Sequence, residues 1–291
     1  MKFELFISIR KWFSILLFIS LIGWVLFLLG IDLPNSTLYY GKIDNSFQYS
    51  YSNYFIFLSN NMVLHRDYFR FSSVFLEPGY LGCLLSVFLF LSKYKFDKIN
   101  IIFFFAIFFT FSLAGYIISI FGYLLFTFRN TRRKVLWVVI TFLCYFMIIY
   151  FAKNINNGEN WINNAIVERL QPDDLKLFSG YNRSSEESDN LFWNSFIYSE
   201  DLLFGNGKTI EYNDVDWKSY IYAYGLISFL LYIFYLFFPL LIRDKNKYFT
   251  FIFVSIYLMI FAQTIHGMFW LFYLFLFIIG IDVNRKILKK S

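Results

Sequence analysis

Histidine, proline and cysteine are scarce in this chain. Its 291 residues hold two histidines, four prolines and two cysteines, and only 16% are charged, where a soluble domain carries about 25%. Cys83 and Cys144 lie singly inside apolar stretches, so neither a disulfide framework nor a Cys-x-x-Cys centre is expected. The two histidines have no carboxylates or thiols at ligand spacing, so no protein-bound metal is predicted. No His-Glu-x-x-His, P-loop or Gly-x-Gly-x-x-Gly spacing occurs, which leaves no sign of a nucleotide site or a resident cofactor.

What the chain does have is apolar and aromatic. Phe occurs 42 times and Tyr 23 times. Residues 12–29, 74–91, 135–152 and 220–242 are uncharged apart from Glu77. Each run is long enough, at roughly 20 residues, to cross a hydrocarbon layer about 30 Å thick. A membrane β-barrel would instead show alternating segments of about ten residues. The expected fold class is all-α: a multi-pass integral membrane helical bundle. The abundant aromatics are read mainly as lipid-facing filler and interfacial belt. The first apolar run has no small-x-small cleavage site after it and is read as a retained helix.

Charge sets the orientation. Seventeen of the 26 Lys and Arg fall in five short segments: 2–11, 93–98, 129–134, 243–247 and 285–290. Basic residues collect on the cytoplasmic side. Residues 99–128 lie between two such segments, yet as one helix they would be about 45 Å long. A hairpin of two short helices, turning near Ser112-Leu113-Ala114-Gly115, resolves this. The same reasoning makes 248–282 a hairpin turning near His266-Gly267. The prediction is about eight membrane helices in one membrane domain, 1–291, with both termini cytoplasmic.

Two outer loops follow, 32–72 and 153–217. The second carries five basic residues against twelve acidic ones. The net charge of +6 is therefore a topology signal and not a nucleic-acid footprint. Within that loop Trp161, Ile162, Ala165, Ile166 and Leu170 fall near helical spacing and predict a helix on the membrane surface. Ser184-Ser185-Glu186-Glu187 fits a capping box before a helix around 190–198. Gly205-Asn206-Gly207 predicts a turn.

Arg70, Glu77, Arg183 and His266 all map to the outer side. Arg70 and Glu77 frame a stretch that opens a membrane helix with Pro78 and Gly79. They are either an ion pair closing the helix top or part of a site, since a carboxylate costs about 2.5–3.5 kcal/mol at the bilayer centre and less near its surface. Arg183 precedes the capping-box serines, where free N–H groups and a guanidinium together suit a phosphate or diphosphate; a solvated loop arginine is the alternative. A neutral His266 could accept a proton from a hydroxyl nucleophile, or could simply sit among headgroups. His65 beside Arg66 carries no such pattern.

The stretch Arg70-Phe71-Ser72-Ser73-Val74-Phe75-Leu76-Glu77-Pro78-Gly79-Tyr80-Leu81-Gly82 resembles the Arg-x-x-x-x-Phe-x-Glu-Pro region of bacterial Wzy-type O-antigen and capsular repeat-unit polymerases. Thr110-Phe111-Ser112-Leu113-Ala114-Gly115-Tyr116 resembles the Thr-x-Ser-x-Ala/Gly turn of the wider O-antigen ligase/polymerase superfamily. Leu202-Leu203-Phe204-Gly205-Asn206-Gly207, followed by Tyr224-Gly225-Leu226-Ile227-Ser228, resembles its Phe-Gly-x-Gly and Tyr-Gly-Leu segments. The likeness runs from about residue 53 to 283. Each motif is short, and their order around a large outer loop carries the specificity.

The resemblance implies a GT-C-like fold and an inverting, metal-independent glycosyltransferase of the bacterial inner membrane, active on its outer face without a cofactor. The implied substrates are undecaprenyl-diphosphate-linked glycans, polymerised into O-antigen or capsule. A flippase and a chain-length regulator are the implied partners beside membrane lipid. Arg70 and Arg183 match diphosphate-holding arginines, His266 a catalytic histidine, and Glu77 an orienting carboxylate or alternative base. A ligase moving glycan to another acceptor, or a polysaccharide flippase or other transporter without chemistry, is the alternative. Two departures stand out: the family usually has ten or more membrane helices, and Leu113 occupies a position that is often arginine there.

Overall fold

The computed structural model describes residues 2–40, 49–60, 70–130, 134–160, 163, 167, 186–207 and 217–243. Among these the chain is mostly helical. It divides into two compact units, residues 4–168 and residues 169–291 with 1–3.

The first unit opens with α1 (Lys2–Leu28). Within it, Glu4–Leu28 is the one helix among the described residues that is long and apolar enough to cross a membrane. Three strands follow, β1 (Ser36–Tyr40), β2 (Tyr49–Asn53) and β3 (Leu58–Asn60), paired antiparallel in that order. This small sheet lies inside the expected outer loop 32–72 and departs from an all-α fold. Its cause is visible in Tyr49-Ser50-Tyr51-Ser52, whose alternation of aromatic and small polar residues matches the two-residue period of a strand. Tyr51 is buried while Ser50 and Ser52 are partly exposed.

Among the described residues of this unit four more α-helices follow: α2 (Pro78–Leu91), α3 (Lys98–Thr110), α4 (Leu113–Asn130) and α5 (Lys134–Asn154). The hairpin expected in 99–128 is present as α3 and α4, joined at Phe111-Ser112. Phe111 takes a left-handed conformation (φ 45°, ψ 37°). Ser112 Oγ accepts from Gly115 N–H at 3.2 Å, satisfying a free donor at the start of α4.

α2 is shorter than the apolar run 74–91. Pro78 disfavours helical backbone at the residue before it, and Glu77 is extended (φ −125°, ψ 132°). Ser73 is left-handed (φ 50°). The helix therefore starts only at Pro78 and measures about 20 Å at 1.5 Å per residue.

Contacts within this unit fix helix directions. Arg10, Phe13 and Trp24 of α1 meet Asp97, Phe103 and Phe109 in turn, so α1 and α3 run the same way. Phe6 stacks on Phe88, and Phe13 touches Phe75, so α2 runs opposite to α1. Gly82 meets Gly115, and Ser86 meets Ser119, so α4 runs with α2. The chain thus alternates direction through four helices. One end carries Arg10 and the Lys93–Lys98 segment. The other carries Arg70, Glu77 and the Phe111-Ser112 turn.

The α2–α4 crossing is built from small residues. A Cβ added to Gly115 would lie 2.9 Å from Gly82 Cα. Ser86 Oγ lies 2.7 Å from the Gly82 carbonyl oxygen, 3.0 Å from that of Gly115 and 2.7 Å from Ser119 Oγ. Gly-x-x-x-Ser in both helices is the pattern that lets backbones approach in a hydrocarbon medium, with hydroxyls bonding across the seam.

The basic end is tied by an ion pair. Arg10 Nη2 lies 2.6 Å from both Asp97 carboxylate oxygens and donates to Asn100 Oδ1 at 2.9 Å. Asp97 also caps α3, accepting from Asn100 N–H at 2.9 Å. Partial burial alone would raise the Asp97 carboxyl; the Arg10 hydrogen bond, the Asn100 N–H and the Arg10 charge outweigh it and hold the group below the ordinary carboxylate range.

In the second unit, α6 (Glu186–Asn194) follows directly on the predicted capping-box serines, and short 3₁₀ turns cover Phe196–Tyr198 and Glu200–Leu202. α7 (Trp217–Arg243) covers the apolar run 220–242. Among the described residues of this unit, Phe192, Phe196, Ile221 and Tyr222 form a buried core cluster.

Candidate functional site

Two of the four predicted site residues, Arg70 and Glu77, are described. Arg183 and His266 lie outside the described residues, as does the predicted hairpin 248–282.

Arg70 sits where the chain leaves the sheet for α2, and two bonds dock this segment on the end of α3. Arg70 Nε donates to the Thr110 carbonyl at 2.9 Å. Phe71 N–H donates to the Phe109 carbonyl at 2.9 Å. These carbonyls belong to the last turn of α3, where backbone oxygens lack helical partners and carry partial negative charge. A guanidinium is the complementary group.

The following serines anchor the segment further. Leu58 N–H donates to the Ser73 carbonyl at 2.8 Å, and Ser72 Oγ to the Leu58 carbonyl at 3.0 Å. Ser73 Oγ donates to Ser20 Oγ of α1 at 2.9 Å. Phe71 is buried against Trp24, their ring centroids 5.7 Å apart. Arg70 and Glu77 are both half-buried, so each side chain reaches the surface from a fixed backbone.

Glu77 occupies the N-cap position of α2, and its side chain makes no capping bond there. Its backbone carbonyl accepts from Tyr80 N–H at 3.2 Å. Gly82, one turn into α2, packs against Ser112 and Gly115: a Cβ there would lie 3.1 Å from Ser112 Cβ. Two motifs 40 residues apart in sequence, at Arg70 and at Thr110, are therefore in direct contact. Leu113, the first residue of α4, is half-buried at this turn.

The second unit joins its own two motifs. α7 breaks at Gly225 (φ 82°, ψ 163°), a conformation open essentially to glycine alone. The break frees backbone groups that the loop 203–207 takes up. Asn206 N–H donates to the Tyr222 carbonyl at 2.9 Å and Gly207 N–H to Ala223 at 3.1 Å. Ile227 N–H donates to the Leu203 carbonyl at 3.3 Å. A Cβ on Gly205 would lie 2.6 Å from Gly225 N, and one on Gly225 would collide with the Leu203 carbonyl oxygen. Phe-Gly-Asn-Gly and Tyr-Gly-Leu thus form one clasp that pins the end of the large loop to a broken helix.

Sequence reading singled out the Arg70, Thr110, Phe204 and Tyr224 motifs but not their pairing. It missed the Ser86–Ser119 seam, which the Gly-x-x-x-Ser spacing could have revealed, and the Arg10–Asp97 pair, whose members are 87 residues apart. No protein-family model matches the chain, and no curated protein or solved structure shows detectable similarity to it.

Proposed function

We propose that the chain is a multi-pass membrane protein of the bacterial inner membrane that polymerises undecaprenyl-diphosphate-linked repeat units into a surface polysaccharide on the outer face. Support for the membrane setting comes from where apolar and polar groups lie. Leu143, Phe146, Met147 and Tyr150 of α5 are exposed along one stripe, as are Leu230, Leu231, Phe234 and Tyr235 of α7. Ser14, Ser20, Ser86 and Thr110 are buried in the interior of the first unit. Apolar faces outside and hydroxyls within suit a hydrocarbon surround.

The observation that carries the glycosyl-transfer reading is the Arg70–Thr110 contact. It places a cation of the Arg-to-Glu-Pro motif on the Thr-x-Ser turn, at the end remote from the lysine-rich segment. In the proposed reaction the acceptor sugar hydroxyl attacks the anomeric carbon of the donor, and the carbon–oxygen bond to the diphosphate breaks. The hydroxyl proton passes to His266, or to Glu77 in that role. Undecaprenyl diphosphate departs, its charge met by Arg70 and Arg183. Guanidinium groups suit this work because they pair two diphosphate oxygens at once and stay charged. A flippase supplying the donor and a chain-length regulator are the proposed partners.

The test is a reaction of purified protein with a synthetic undecaprenyl-diphosphate repeat unit. A ladder of extended products that disappears in Arg183→Ala and His266→Ala supports the proposal. Ladders unchanged in both variants would remove these residues from the mechanism, and a wild type that makes no ladder would contradict the polymerase reading. Transfer only to a different acceptor would make the protein a ligase.

A further inference from the structure

The Arg10–Asp97 pair brings two exposed segments of the first unit together. Lys11 and Trp12 follow Arg10 at the start of the long apolar run of α1. Lys95, Phe96 and Lys98 surround Asp97 at the start of α3. All three lysines are exposed, and so are the aromatics: Trp12 keeps 67% and Phe96 89% of its surface. Lys11 Nζ stands 6.0 Å from the Trp12 ring centroid. Asp97 is engaged by Arg10, so the pair is nearly neutral and the patch keeps the three lysine charges. The remaining acidic group on the described part of α1 is Glu4, almost two turns before Lys11.

We propose that this surface binds the headgroups of anionic glycerophospholipids, with Trp12 and Phe96 seated at the headgroup level. The inference rests on the membrane part of the function proposed above and is independent of the polymerase chemistry. Three features point to lipid over a soluble anion. The lysines stand where α1 and α3 begin their apolar runs, which is where a bilayer surface would fall. Exposed Trp and Phe beside lysine match the amphipathic composition of the interfacial zone. The charge is carried by long flexible side chains and no enclosed pocket is needed, which suits a fluid anionic surface.

The experiment reconstitutes the full chain into phosphatidylcholine bilayers containing a minor fraction of phosphatidylglycerol, with bromine on the acyl chains of one lipid or the other. Quenching of Trp12 is obtained as the difference between wild type and Trp12→Phe. The proposal expects phosphatidylglycerol to be enriched beside Trp12, by about fivefold for each lysine that contributes. In Lys11→Gln/Lys95→Gln/Lys98→Gln the enrichment should fall to about one, while quenching by brominated phosphatidylcholine persists and shows the variant still inserted. Quenching by each lipid in proportion to its share of the bilayer in the wild type, or enrichment unchanged in the triple variant, overturns the proposal and leaves the membrane reading standing. No quenching by either lipid would overturn both.

Discussion

Arg70 Nε donates to the Thr110 carbonyl at 2.9 Å, so the guanidinium is positioned by the last turn of α3 and not by a neighbour in sequence. If that guanidinium also neutralises the leaving diphosphate, Arg70→Lys should lose geometry while keeping charge. Loss of one preorganised donor costs about 10²–10³ in rate. We expect undecaprenyl diphosphate release to fall by about that factor in Arg70→Lys, with thermal stability in detergent within about 1 kcal/mol of wild type. Release at the wild-type rate would remove Arg70 from the chemistry.

The α2–α4 seam has no room for a side chain. In Gly115→Val the added carbons would press on the Gly82 backbone, which cannot rotate away as a side chain can. Destabilisation of about 1–3 kcal/mol is expected, as for overpacking elsewhere. Ser86→Ala, which only removes hydroxyl bonds, should cost about 0.6 kcal/mol. Reversible unfolding in mixed micelles measures both, and equal costs would contradict the close approach.

Gly225→Ala should be more damaging than its size suggests. Alanine there is strained at φ 82°, by about 1–3 kcal/mol, and its Cβ meets the Leu203 carbonyl. The expected result is loss of the clasp, seen as faster proteolysis of the loop 203–207. Proteolysis at the wild-type rate would show that the break is not needed to hold the loop.

Asp97 gives a pH dependence with a definite sign. Its carboxyl is held below the ordinary range when folded. Its stabilisation is therefore complete above the unfolded value, near 3.9, and drains as pH falls through the lower folded value. Asp97→Asn keeps an acceptor for the α3 cap but loses the charge that faces Arg10. Thermal unfolding at a series of pH values should find wild type more stable than Asp97→Asn at neutral pH, with the gap closing in acid. A gap that widens in acid would contradict the ion pair.

Much of the helical layout was readable because apolar length and basic punctuation are strong signals. The runs 12–29, 135–152 and 220–242 became α1, α5 and α7, and the excess length of 99–128 called for a turn, expected near Ser112-Leu113-Ala114-Gly115 and formed slightly earlier, at Phe111-Ser112, with Leu113 to Gly115 already in α4. Local signals at the ends of elements were weaker guides. The run 74–91 looked like a full span, yet Pro78 delays α2 by restricting Glu77. Tyr224-Gly225-Leu226 sits in an unbroken apolar run, and nothing in its hydropathy marks a break that exists because a distant loop supplies the missing hydrogen bonds. The same holds for Arg10. As a sequence feature it was one positive charge in a topology count; its partner Asp97 is brought to it only by the packing of α1 on α3. The Arg70 site was legible as a motif, while its attachment to Thr110 required the fold.

In the proposed topology the Arg70–Thr110 end of the first unit lies outside the cytoplasm and the Arg10–Asp97 end within it. In a background with Cys83→Ala and Cys144→Ser, Val74→Cys and Phe96→Cys each put a single exposed thiol at opposite ends. An impermeant maleimide applied to intact cells from the outside should label Val74→Cys, and label Phe96→Cys only after the membrane is opened. Labelling of Phe96→Cys in intact cells, with Val74→Cys protected, would turn the site to the cytoplasm and contradict the account.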